Sequence, residues 1–115
     1  MTALTRTLAQ FVCSSEYDRL RPEIRHEGVR AFVNWVGGTV SGSREEGVHK
    51  AIAALAEFSG SATATLVGRS ERLDVPGAAF VNALSSGILT FNDTHFRTVA
   101  HPTSSVAAGL LALCE

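Results

Sequence analysis

Apolar residues recur three or four positions apart in several separate stretches of the chain. The longest stripe runs through Ile24, Val29, Phe32, Val36 and Val40. This spacing places the side chains on one face of an α-helix, whereas a strand would need strict alternation. The pattern therefore predicts a mainly α fold, a helical bundle with at most one short extended segment.

Capping residues and helix breakers set the boundaries of these helices. The predicted starts are Pro22, Ser43, Asp74 and Thr103 or Ser104, and the predicted ends include Ser14 and Gly60. Ser43 is followed three residues later by Glu46, which is the pattern of a capping box. The pair Gly37-Gly38 falls inside the longest stripe. There it predicts either close packing of another backbone or an early end of the helix.

The segments between the helices carry weaker signals. Residues 62–67 are rich in Thr and Ala and predict a short strand or extended segment. A mixed-charge turn is formed by Arg69, Glu71, Arg72 and Asp74, and a solvated connection is its simplest interpretation. Trp35 follows the apolar positions of its helix, so we expect it to pack in a core or an interface.

The histidines and cysteines outside the last loop have simple expected environments. His26 and His49 lie on polar helix faces, where exposure to solvent is expected. Cys13 and Cys114 sit at opposite ends of the chain, in no zinc-type spacing. We expect two buried free thiols in a reducing cytosol, with a disulfide as the alternative.

The composition fits one small globular domain over residues 1–115, with 45% apolar residues, 18% charged residues and a net charge of -1. Because there is no run of Lys or Arg, a nucleic-acid partner is not expected. The apolar stretches are far shorter than the ~20 residues of a membrane span, and the start lacks the apolar core of a signal peptide. We therefore expect a soluble, cytoplasmic protein with no membrane partner. The last helix is still apolar at Glu115, which predicts a truncated or split product or a chain that needs a partner.

Chemistry-bearing residues are concentrated in residues 90–102, between the last two predicted helices. This loop combines Asp93, His95, Arg97 and His101 with several hydroxyls. A histidine transfers protons near neutral pH, and a nearby acid orients it or acts as a base. The free N–H groups of the following helix would attract a carboxylate. The loop thus predicts proton transfer on a small carboxylate substrate.

Other interpretations of the same loop remain open. Asn, Asp and Thr residues often only cap turns. Metal binding by Asp93, His95 and His101 fits no standard zinc spacing, so no metal is expected. There is no G-x-S-x-G nucleophile elbow and no phosphate-binding glycine loop. A non-catalytic helical interaction or oligomerisation module is the alternative function.

Several short segments also occur in an order and spacing that resemble those of a known family. Residues 92–95 read NDTH and residues 101–104 read HPTS. Upstream, residues 20–24, 40–43, 64–68 and 76–83 read LRPEI, VSGS, ATLVG and PGAAFVNA. In this order and spacing they resemble the start of the MmgE/PrpD family, which includes 2-methylcitrate dehydratase and cis-aconitate decarboxylase. The similarity extends over nearly all of the chain and about the first quarter of a typical member.

The resemblance implies a mostly helical first domain, a homodimer, and chemistry on small di- and tricarboxylates without a metal or organic cofactor. Known activities in the family are dehydration, decarboxylation and epimerisation. The predicted catalytic residues are Asp93, Thr94 and His101, and the predicted substrate-binding residues are Thr90, Asn92, His95 and Ser104.

This sequence departs from the family pattern in two respects. Thr90 and Asn92 stand where the signature has aspartates, and Thr90 cannot act as a general base at ordinary pH. The catalytic lysine and a further histidine would lie beyond residue 115. We therefore expect that this chain is inactive alone and needs a partner chain or a second copy.

Overall fold

The computed structural model describes residues 3–115. The helices are α1 (Ala3–Ser14), α2 (Pro22–Gly42), α3 (Glu46–Ala56), α4 (Val75–Gly87) and α5 (Pro102–Cys114). A short 3-10 helix (Tyr17–Arg19) precedes α2, and the two strands are β1 (Ala64–Thr65) and β2 (Arg72–Leu73). The prediction of a mainly α fold is confirmed.

The chain forms two compact units, the first reaching Arg30 and the second spanning Ala31–Glu115. The first unit contains α1, the 3-10 helix and the start of α2. None of the described residues of α1 is buried, and the guanidinium of Arg25 lies 5.4 Å from the centre of the Tyr17 ring. The second unit contains the hydrophobic cores and all the predicted site residues.

The main core of the second unit lies around α4. Val81 of α4 packs in it with Val48 of α3, and Leu66 and Leu73 from the two strand segments complete its centre. A smaller cluster joins Trp35 to Ala107 and Ala108 of α5. Trp35 is 3% exposed, which confirms its predicted place in a core.

Helices α4 and α5 pack through small residues. The buried residues of α5 are Ser104, Ala107, Ala108 and Ala112. The buried Ser85 hydroxyl of α4 donates to the Val81 carbonyl oxygen, 2.8 Å away, so its polar group is satisfied within the helix. Since the small residues of α5 make the contact, its larger apolar residues other than Leu111 are left exposed. These are Val106, Leu110 and Leu113.

The close backbone approach predicted for the α2 glycines occurs, but mainly at a later position. Helix α2 continues through Gly37 and Gly38 to Gly42. A Cβ at Gly42 would lie 2.1 Å from the Ser85 carbonyl oxygen, whereas one at Gly38 would lie 3.5 Å from the Ser86 oxygen. Only a residue without a side chain therefore fits where α2 ends against α4.

The predicted capping box is wrong. Helix α3 begins at Glu46, and Glu45, not Ser43, is its N-cap, with no side-chain capping bond among the described residues. Ser43 is buried, and its hydroxyl donates to the Val40 carbonyl oxygen at 2.8 Å. The hydroxyl thus bonds back to the end of α2, and Gly68 packs closely against the same side chain. Helix α3 also ends at Ala56, before the predicted Gly60.

A small antiparallel ladder lies between α3 and α4. The predicted segment at residues 62–67 contains β1, whose residues Ala64 and Thr65 pair with Leu73 and Arg72 of β2. Strand β2 lies where a solvated turn was predicted. The reason is that Leu73 is buried in the core and Arg72 donates to the Thr63 carbonyl oxygen at 2.6 Å.

The surroundings of two histidines, two cysteines and one helix cap were also predicted from the sequence. His26 and His49 are exposed, as predicted. Cys13 and Cys114 are free thiols, but the prediction that they are buried is wrong, since both are exposed. Asp74 caps α4 as predicted, its carboxylate accepting from the Gly77 amide at 2.9 Å.

Candidate functional site

The polar loop predicted to carry chemistry connects α4 to α5. The Thr90 amide donates to the Gly87 carbonyl oxygen at 3.0 Å and ends α4 with a turn. The loop then closes on itself, because the His95 amide donates to the Ala100 oxygen at 2.9 Å and the Val99 amide donates to the His95 oxygen at 2.8 Å. The segment is therefore an ordered turn.

Two residues of this loop have left-handed backbone conformations. Thr90 has a φ of 57° and Val99 a φ of 52°. Both are β-branched, a class of side chain for which positive φ is a genuine outlier. Such conformations cost about 1–3 kcal/mol each and cluster at functional sites. The rest of the loop must therefore hold them in place.

Side-chain amides and hydroxyls anchor the loop to the helices. The Asn34 amide of α2 donates to the Phe91 carbonyl oxygen at 3.1 Å. At the other end, the Thr103 hydroxyl donates to Oδ2 of Asp93 at 2.7 Å. The Asn92 amide lies 3.5 Å from the hydroxyl of the buried Ser104. Asp93 thus ties the loop to the first turn of α5, where its charge is favourable.

His101, which immediately precedes α5, is the best-defined imidazole of the loop. Its Nδ1 lies 2.8 Å from the Asp93 carbonyl oxygen and 3.3 Å from the Thr94 hydroxyl oxygen. A carbonyl oxygen only accepts, so Nδ1 must carry a proton and donate. In the neutral ring Nε2 then has the free lone pair, which is the arrangement of a positioned general base.

His95 is held in its own turn. Its Nδ1 lies 2.8 Å from the Thr98 hydroxyl oxygen, and the ring is exposed. Either group donates in this pair, depending on the tautomer. The contact fixes the ring near the tip of the loop, where His95 remains accessible to a ligand.

The structure brings most of the predicted site residues together. Asp93, Thr94 and His101 meet at one imidazole nitrogen, and Asn92 meets Ser104. Thr90 lies at the entrance of the loop with an exposed side chain. The carboxylate of Asp93 faces Thr103 as a helix-anchoring group, while its carbonyl oxygen serves His101.

Sequence reasoning missed two anchoring residues. Asn34 is 57 positions from its partner Phe91, so no local pattern could have indicated the contact. Thr103 was considered only as a helix start, although its hydroxyl holds Asp93. Its acid partner Asp93 lies across the loop, so the pattern of residues at the helix start did not indicate this bond.

Two further findings concern metals and membranes. Within residues 3–115 no group of three or more His, Cys, Asp or Glu side chains is placed to hold a metal ion. No helix in the described part of the chain is both long and apolar enough to cross a membrane.

The fold and the loop define a mainly helical domain in which a strained polar turn, with an oriented histidine, precedes the last helix. The model of the MmgE/PrpD N-terminal domain matches residues 6–115, so the chain belongs to the MmgE/PrpD family. Comparison with curated proteins and with solved structures gives no match.

Proposed function

We propose that residues 90–104 form part of the substrate site of a cofactor-free lyase or isomerase that acts on small di- or tricarboxylates in the cytoplasm. The observation that carries the proposal is the His101 tautomer. Because Nδ1 donates to the Asp93 carbonyl oxygen, Nε2 is free to take a proton from carbon. Family membership supports the choice of substrate class.

The proposed chemistry begins with proton transfer to Nε2 of His101 from the carbon beside a substrate carboxylate. The electron pair left on that carbon spreads into the carboxylate. It then either expels a β-hydroxyl, which takes the proton from Nε2 of His101 and leaves as water, or takes a proton from solvent on the other face, in which case His101 returns its own proton to solvent. The Thr94 hydroxyl, whose oxygen lies 3.3 Å from Nδ1, is beside the ring and donates its proton to the substrate carboxylate.

We propose that the isolated chain does not complete this reaction. Thr94, His95 and His101 are all exposed, so a carboxylate bound among them would remain hydrated. Developing negative charge is stabilised strongly only in a site from which water is excluded. A second copy or a partner chain would have to cover the loop and supply positive charge.

The test combines a binding measurement with an isotope-exchange assay. Adding citrate or cis-aconitate to the 15N-labelled chain is expected to shift the backbone amides of residues 93–105. His101→Gln is expected to abolish these shifts, and His26→Gln, a change at an exposed histidine on α2, to preserve them. If both variants bind alike, His101 is not part of a carboxylate site.

Exchange of substrate C–H for deuterium then tests whether proton transfer requires a partner that covers the loop. We expect no exchange with the isolated chain and exchange only with a covering partner, such as the product of a neighbouring gene. Turnover of cis-aconitate or 2-methylcitrate by the isolated chain would contradict the claim that the site is incomplete.

A helical oligomerisation module is the second candidate function. The specific observation is the outer face of α5, where Val106, Leu110 and Leu113 are 58%, 57% and 71% exposed. These residues are spaced three or four apart and form one apolar stripe. The occupant we propose for this stripe is a second copy of the same chain.

A further inference from the structure

A second polar cleft is lined by residues outside the α4–α5 loop. It has a volume of about 620 Å³. Its lining residues come from three segments: the α2–α3 connection, α3 and the turn between the strands. They are Arg44, His49, Gly68, Arg69, Ser70 and Glu71. No residue is shared with the loop of residues 90–102, so any function of this cleft is separate.

Arg69 forms the fixed wall of the cleft, which corrects the prediction of a solvated turn. Its side chain is only 10% exposed. Nη1 donates to the Ser43 carbonyl oxygen at 2.8 Å, and Nη2 donates to Oε1 of Glu71 at 2.5 Å. Its Nε is buried and has no hydrogen-bond acceptor among residues 3–115. The guanidinium is therefore desolvated and only partly compensated.

The Arg69 guanidinium also determines the tautomer of His49. Nη2 of Arg69 lies 3.3 Å from Nδ1 of His49. A guanidinium has donors and no acceptor, so Nδ1 of His49 must accept and carry no proton. The neutral ring then carries its proton on Nε2. His49 thus offers the cleft a donor.

The charges around the cleft do not cancel. Two guanidinium groups, from Arg44 and Arg69, face one carboxylate, from Glu71. The hydrogen bond from Arg69 lowers the pKa of Glu71 from 4.5 to about 2, so this carboxylate stays charged. The nearby acid Glu46 is paired with Lys50 at 2.6 Å. With neutral His49, the lining residues carry a net charge of +1.

We propose that this cleft binds a small oxyanion, a carboxylate or phosphate group, through Arg44 and Nε2 of His49 with Arg69 as its charged wall. A purely structural role explains the bonds from Arg69 to Ser43 and Glu71, which tie the turn to the end of α2. It does not explain the exposed Arg44, which lines the cleft and makes no ion pair within the described chain. The lining carries more positive than negative charge and has free donors on Arg44 and His49, so the ligand is an acceptor.

The experiment titrates the 15N-labelled chain separately with inorganic phosphate and with citrate. The expected result is a saturable shift of the amides of residues 68–71. Arg44→Gln is expected to weaken binding at least about tenfold, the cost of one lost charge-assisted hydrogen bond. Arg97→Gln removes another exposed arginine, from the α4–α5 loop, and is expected to leave these shifts unchanged.

A second pair of variants tests His49 without disturbing Arg69. His49→Gln retains a donor and an acceptor and is expected to keep binding, whereas His49→Leu is expected to lose it. Stronger binding of phosphate points to a phosphorylated ligand, and stronger binding of citrate to a carboxylate. The proposal is overturned if neither anion shifts residues 68–71, or if Arg44→Gln binds like the unaltered chain.

Discussion

At the scale of single residues, Thr90 combines backbone strain with a chemical departure from its family. Its φ of 57° lies in a region that β-branched side chains avoid. By the resemblance described above, the family has an aspartate at this position. Asp is among the residues that tolerate the left-handed conformation best. The backbone at this position is therefore suited to the residue that the sequence lacks.

Replacing Thr90 by Asp is expected to stabilise the chain, by up to about 1 kcal/mol, because the strain of a β-branched residue at positive φ is relieved. Urea unfolding followed by circular dichroism measures the effect. Thr90→Val is the matched control, since valine is also β-branched and keeps the strain. Equal stability of the Asp and Val variants would show that the conformation carries no such cost.

The lowered pKa of Glu71 predicts how the stability of the folded chain changes in acid. This pKa is lowered from 4.5 to about 2, chiefly by the hydrogen bond from Arg69. A carboxyl with a depressed pKa in the folded state binds fewer protons than in the unfolded state. Its contribution is complete above pH 4.5 and is lost as the pH falls towards 2. The pKa values of Asp74 and Glu115 are also lowered by hydrogen bonds, from Gly60 and Thr65 first.

The variant Glu71→Gln is therefore expected to lose stability less steeply in acid than the unaltered chain. The urea midpoint of both proteins, measured from pH 7 to pH 2, tests this. The difference between them should be constant above pH 5 and should shrink as the pH falls through the window below 4.5. A difference that does not change with pH would contradict the assigned pKa.

At the scale of elements, helix α2 offers two glycines with opposite surroundings. Gly42→Ala would place a Cβ 2.1 Å from the Ser85 carbonyl oxygen, and Gly37→Ala would meet nothing within 4 Å. We expect the first change to destabilise the chain by about 1–3 kcal/mol through overpacking. The second should stabilise it by about 0.5–1 kcal/mol, because alanine is the better helix former.

Thermal and urea unfolding of the two variants in parallel separate helix propensity from packing. Both changes add one methyl group to the same helix, so a difference between them reports the α2–α4 contact alone. If Gly42→Ala were as stable as Gly37→Ala, the close approach of α2 to α4 would not exist in solution.

The success of sequence reasoning depended on how local each signal was. The Asp74 cap and the five helices follow from contacts three or four residues apart, and these predictions held. Ser43 failed because the burial of its hydroxyl depends on Gly68, which is distant in sequence. Strand β2 was missed for a similar reason, since a two-residue strand is defined by its partner.

The candidate site, too, could be predicted from the sequence only where the signal was local. The combination of one acid, two imidazoles and several hydroxyls singled out the loop at residues 90–102 as the candidate site without any structure. The pairing of His101 with the Asp93 carbonyl oxygen could not be predicted, because it depends on the turn closed by His95 and Ala100. No sequence pattern indicated the polar cleft lined by Arg44, His49 and Arg69, because three separate segments form it.

At the scale of the whole molecule, burial on α5 is the reverse of what side-chain size suggests. Alanines of α5 contact the core, while Val106, Leu110 and Leu113 lie on the exposed face. A contiguous exposed apolar stripe is a common mark of an interaction surface. A net charge of only -1 provides little repulsion between copies. The chain therefore has both a surface for association and little to oppose it.

We expect the isolated chain to associate as its concentration rises, with α5 in the contact. Sedimentation velocity over a hundredfold range of concentration measures the association. The double variant Leu110→Lys with Leu113→Lys is expected to remain monomeric, because burying two ammonium groups costs more than the apolar contact contributes. Phe58→Lys changes a single residue that is 84% exposed outside this stripe, and it should associate like the unaltered chain. The α5 contact would be excluded if the chain stays monomeric at all concentrations, or if the double variant associates as strongly as the unaltered chain. The proposed carboxylate site would then be the only role left for the α4–α5 loop and α5.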